Sequence, residues 1–111
     1  MLFRSTTWVS ALPSLGWATS IKASNYTASA NDQIFCNTSG GAVTITLPAS
    51  ATIGQSVKVI DYAGTWGTNN CTVGRNGNRI NGDASDLVLD LNNGWVELIY
   101  ADATQGWRVI Q

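Results

Sequence analysis

The chain has 111 residues, of which 44% are hydrophobic and only 12% charged, with a formal net charge of −1. That length suits one domain with a single core and is short for two. The six basic residues, Arg4, Lys22, Lys58, Arg75, Arg79 and Arg108, form no stripe, and no apolar run approaches 18 residues, which speaks against a nucleic-acid partner, a polybasic membrane contact and membrane insertion.

Residues 1–24 come first and differ from the rest. Leu2, Phe3, Trp8, Val9, Leu12, Leu15, Trp17 and Ile21 follow neither a helical nor a strand period, and Pro13 and Gly16 interrupt any helix. A segment this apolar and irregular must pack on something. It is expected to be an attachment and oligomerisation segment, with Leu2, Phe3, Trp8, Leu12, Leu15 and Trp17 as its assembly interface. Ser5, Thr6 and Thr7 break the apolar stretch early, so no secretory signal is expected.

A β-domain is expected over 25–111. A strand at 32–38 ends in the turn Thr38-Ser39-Gly40-Gly41. The next, 42–47, alternates: Val43, Ile45 and Leu47 on one face, Thr44 and Thr46 on the other, with Pro48 ending it. Strand 55–62 sets Val57 and Val59 against Lys58 and Ile60. The stretch 63–86 is dense in Gly and Asn, and Asn76-Gly77 and Asn81-Gly82 are tight-turn dipeptides because both residue types accept positive φ. Only short strands fit around them, at 71–74 and 78–80. Leu87, Leu89 and Leu91 are expected inward on 87–91. Val96, Leu98 and Tyr100 share a face on 95–101, and 107–110 closes the sheet. Short strands divided by Gly/Asn turns predict an all-β fold, a small antiparallel β-sandwich or barrel-like domain. Asn-Gly recurs at close spacing as turn chemistry rather than as a solenoid repeat.

There is no histidine, which removes the commonest general base and the usual nucleophile pairs. Asp83, Asp86, Asp90, Glu97 and Asp102 offer paired carboxylates, read as solvated or turn-capping acids. No catalytic residue, cofactor or metal ligand is assigned. The sequence leaves open whether Cys36 and Cys71 pair; a disulfide needs an oxidising compartment, and the favoured reading is two buried free thiols acting as small hydrophobes. Among five tryptophans, Trp66 lies in a turn-rich loop between Gly64 and Gly67, where a large ring is poorly placed for a core. With Asn69 and Asn76 it is the candidate contact for a host glycan or receptor. Trp95 and Trp107 are assigned to core or interface, and Trp8 and Trp17 to assembly.

Three stretches, GGAVTITLPAS (40–50), TNNCTVGRNGNRINGDASD (68–86) and YADATQGW (100–107), carry a resemblance that extends over 26–111. This region resembles a domain of tail-fibre and related appendage proteins of tailed bacteriophages. The resemblance implies a non-enzymatic, all-β virion module, made in the host bacterial cytoplasm and assembled with copies of itself, as a homotrimer. It implies other virion proteins as partners and brings no catalytic residues. Three functions are therefore weighed: a short tail or head fibre docking through residues 1–24, a capsid cement or decoration protein, and a carbohydrate-binding host-attachment module.

Overall fold

The computed structural model describes residues 17–111. Five strands form the larger sheet in the order β1 (Ala18–Lys22), β3 (Asp32–Cys36), β5 (Ser56–Asp61), β8 (Trp95–Asp102) and β9 (Gly106–Ile110). Four form the smaller sheet: β2 (Tyr26–Thr27), β4 (Val43–Thr46), β6 (Cys71–Gly74) and β7 (Leu87–Leu89). The fold is all-β, with short strands, two sheets and Gly/Asn turns, as the alternating pattern predicts.

Strand direction departs from the antiparallel expectation. Consecutive strands β1 to β6 alternate between the two sheets, so the chain winds as a two-sided coil. Within each sheet these strands pair parallel: β1 with β3, β3 with β5, β2 with β4, β4 with β6. Parallel pairing needs a long crossover, and here passage through the other sheet supplies it. Antiparallel β7, and the β8–β9 hairpin, close the far side. The turns of the coil are unequal: Ala18 pairs with Asp32, Tyr26 with Ile45, Gln33 with Lys58 and Val43 with Cys71. No fixed sequence period survives such unequal spacing.

Two local expectations also change. β1 pairs with β3 along its whole length, so residues 18–22 of the expected N-terminal segment belong to the larger sheet, and the 24/25 boundary lies in the turn between β1 and β2. Residues 78–80 form no strand; Ile80 makes isolated bridges to Asp83 and Trp107. The flanking turns leave too little chain between them for a ladder. Those turns themselves are as read: Asn76, Gly77, Asn81 and Gly82 all have positive φ, and Ile80 and Asp83 exchange both backbone hydrogen bonds (3.0 and 2.9 Å) around Asn81-Gly82.

The core lies between the sheets. Ile34, Val57, Val59, Val96 and Leu98 project from one and Val43, Ile45, Val73 and Leu89 from the other, all buried. Each such side chain contributes about 1.5–3 kcal/mol by leaving water. Trp107 is fully buried and meets Tyr100 edge-on, centroids 5.4 Å apart. The β8–β9 hairpin carries an irregularity between Tyr100 and Asp102 and turns through Gly106 at φ +67°. A Cβ at Gly106 would collide with the Arg79 carbonyl oxygen, so that site admits only glycine.

Candidate functional site

The site starts from one buried acid. Asp61 ends β5, where the alternation that buries Val57 and Val59 carries it inward. Its Oδ1 accepts from Gly64 N (3.0 Å) and Thr65 N (3.2 Å), and its Oδ2 from Trp66 N (3.2 Å) and Asn93 N (2.9 Å). Charge-assisted bonds to backbone donors satisfy both oxygens and explain why a carboxylate is tolerated there. Two turns are pinned by it, the 61–66 loop that crosses between the sheets and the turn that enters β8. Asn92 Oδ1 ties them again by accepting from Gly67 N at 2.7 Å.

Trp66 is drawn into the core by this scaffold and is 1% exposed. The expectation that it offers a ring to a glycan is corrected. Glycines on either side of a bulky residue signalled an exposed loop, but the Asp61 carboxylate folds that loop inward. Gly94 has no side chain to keep the ring away, and a Cβ there would sit 3.3 Å from Trp66 Cζ3. The partners assigned to Trp66 are also engaged elsewhere. Asn69 Nδ2 donates to the Thr38 carbonyl (2.9 Å) and Asn76 Nδ2 to the Leu47 carbonyl (3.0 Å). All three residues therefore hold the fold, and they do not assemble an open contact surface.

Behind Trp66 lie the two thiols, fully buried and free. Cys36 comes from the larger sheet and Cys71 from the smaller, and each thiol lies close enough to shift the titration of the other. Contact with the Cys71 thiol pulls Cys36 below its ordinary value, while the same contact and burial push Cys71 well above it. Trp66 Nε1 has no hydrogen-bond partner of ordinary geometry, yet it lies near enough to Cys36 to help lower that thiol.

In front of Trp66, at the open margin between β7 and the start of β8, is a groove of about 310 Å³. Its walls include Trp95, Leu91 and Val88, which are 43%, 71% and 53% exposed. Asn81, Asp90 and Gln111 add polar groups to the lining. Asn81 Oδ1 accepts from Val109 N (3.0 Å), which orients its amide. Leu91 was expected inward; instead β7 ends at Leu89 and the chain turns, with Gly94 N bonding back to the Leu91 carbonyl (3.1 Å). Trp95, expected in core or interface, is the groove's exposed aromatic. Strand parity holds the reason: Val96, Leu98 and Tyr100 point inward, so Trp95 points out.

Of the assembly residues, Leu2, Phe3, Trp8, Leu12 and Leu15 lie outside the described residues. Trp17 is half-buried, with its ring 5.2 Å from Lys58 Nζ, a cation–π contact within its own domain. Among the described residues, no three His, Cys, Asp or Glu side chains group to hold a metal ion. No family model matches the chain, and no curated protein matches it.

Proposed function

We propose that the chain is a non-enzymatic structural module of a bacteriophage particle, a short tail or head appendage. It assembles as a homotrimer and docks on other virion proteins through its N-terminal residues. One observation supports this reading above others: the stretches that carry the resemblance to fibre domains are the ones that build the turns of this fold. GGAVTITLPAS runs from the turn closed by Gly41 N to the Thr38 carbonyl (3.2 Å) through β4. The GRNGNRING stretch contains both left-handed Asn-Gly pairs, and YADATQGW contains the β8–β9 irregularity and Gly106. A resemblance that lies in turn-forming residues supports a structural role, whereas one based on chemistry would fall on side chains facing a cleft.

The test uses particles of the phage that encodes the chain, assembled without it. Added full-length protein is expected to sediment with those particles. A Trp8→Asp, Leu12→Asp double variant is expected to keep its β-sheet circular dichroism and to lose that binding. Gold-labelled protein seen along the capsid faces instead of on an appendage would favour the decoration role. Absence from native particles, together with no binding to depleted ones, would overturn the virion reading.

A further inference from the structure

We propose that the Trp95 groove is a saccharide site that takes one or two pyranose rings carrying an N-acetyl group. This inference does not rest on the virion reading, and either can fail without the other. Three observations carry it.

The first is that the groove is built rather than incidental. Leu91 and Trp95 flank the turn that the Asp61 carboxylate pins through Asn93 N at 2.9 Å. Asp61 N in turn donates to the Gly94 carbonyl at 3.0 Å, and Asn92 bonds to Gly67. A leucine 71% exposed and a tryptophan 43% exposed, at the two ends of that pinned turn, both line the groove. Exposed apolar groups on a mobile loop could fold away from water. Here the backbone is fixed from beneath, so the apolar surface stays presented, which is the preorganisation that binding rewards.

The second is the chemistry of the lining. An exposed indole offers a flat π-face that matches the C–H face of a pyranose. Leu91 and Val88 supply an apolar wall for a methyl group. Asn81 and Gln111 carry amides that donate to and accept from ring hydroxyls, and Asp90 carries an acceptor for an N–H. No lysine or arginine lines the groove, so an anionic ligand has no counter-charge. Trp66 also lines the groove but is only 1% exposed, so Trp95 is its one open aromatic face, a platform rather than the cage that organic cations favour. An acetamido sugar fits these groups: ring on Trp95, methyl on the Leu91–Val88 wall, amide N–H on Asp90 and hydroxyls on the Asn81 and Gln111 amides.

The third is size. At about 310 Å³ the groove sits at the lower end of ligand-site volumes. It holds a short terminal unit and leaves no room for a long chain along its floor.

The experiment is a titration of the full chain with N,N′,N″-triacetylchitotriose, followed by backbone and indole N–H shifts in two-dimensional NMR. Saturable shifts are expected at Trp95, Leu91, Asp90 and Asn81. Trp95→Ala and Leu91→Ala should each weaken binding at least tenfold while leaving the remaining spectrum in place. Asp90→Asn should lose the preference for the acetylated sugar over maltotriose. No saturable shift up to about 10 mM, a range that reads millimolar dissociation constants, would overturn the proposal. So would shifts centred outside the groove, equal binding of maltotriose, or tighter binding of tetramethylammonium, which would mark a cation site.

Discussion

Asp61 Oδ2 accepts hydrogen bonds from both Trp66 N (3.2 Å) and Asn93 N (2.9 Å). One buried carboxylate thereby couples a core tryptophan to the turn that presents an exposed one. The core and the groove are two faces of the same scaffold.

Replacing Asp61 with Ala strands four backbone donors in a region shielded from water. The expected loss is about 3 kcal/mol or more, since each buried donor left unpaired costs about 1–3 kcal/mol. Asp61→Asn keeps one acceptor oxygen and sets an amide against two N–H groups, so it should lose nearly as much. Chemical denaturation reads the loss, and amide exchange should accelerate first at Trp66 and Asn93. An Asn variant as stable as the native chain would remove the anchoring role.

The two tryptophans of the scaffold should behave oppositely. Trp66→Ala opens a large cavity and should cost about 3–5 kcal/mol. Trp95→Ala removes a ring already 43% exposed, and should cost about 1 kcal/mol or less. Thermal melts of both variants check the order. If Trp66→Ala melts like the native chain, its burial is wrong and the glycan role first read for it returns.

Gly106→Ala should cost more than about 2 kcal/mol, since it adds backbone strain at positive φ to a clash with the Arg79 carbonyl. Gly77→Ala is the control. It shares positive φ, but a Cβ there meets nothing within 4 Å. Equal melting temperatures for the two would contradict the close approach at Gly106.

Tyr26 donates its hydroxyl to Asp32 Oδ2 at 2.7 Å. That bond, with burial and the Asp32 charge, raises the phenol above its ordinary 10.0. Folding therefore favours the protonated form. Its contribution to stability is whole below pH 10.0 and is lost as pH climbs through the raised folded value. The ring carbon shifts of Tyr26 should titrate above 10.0 in the native chain and move back toward that value in Asp32→Asn, where burial alone still raises it. Unchanged titration in the variant would show that Asp32 is not the cause.

Both thiols should resist a bulky thiol reagent in the folded chain and react once denaturant unfolds it, because each is fully buried. Reaction of either cysteine at the rate of a free peptide thiol would place it at the surface.

Much of the fold was legible because half-buried strands alternate. Val43–Ile45–Leu47, Val57–Val59 and Val96–Leu98 announce their faces directly. The Asn-Gly turns were legible because few residues take positive φ. The winding was not, since alternation along one strand says nothing about which sheet the strand joins or which way its neighbour runs. Unequal turns of the coil erased the repeat that would have shown it. The candidate site was legible in part. Trp95 could be placed outside by the parity of Val96, and Asp61, at a strand end ahead of Gly64-Thr65-Trp66, carries the signature of an acid that folds its own loop. What composition cannot convey is that such a loop turns inward. The glycines beside Trp66 therefore suggest an exposed ring, and only the folded loop shows the turn that Asp61 pins.

The most direct measurement of the central claim, a self-assembling virion module, is the solution mass of the full chain by light scattering across a wide concentration range. The proposed homotrimer gives three times the 11.8 kDa chain mass, falling toward a single chain on dilution or in the Trp8→Asp, Leu12→Asp variant. A mass of 11.8 kDa at every concentration would contradict it and leave a monomeric domain.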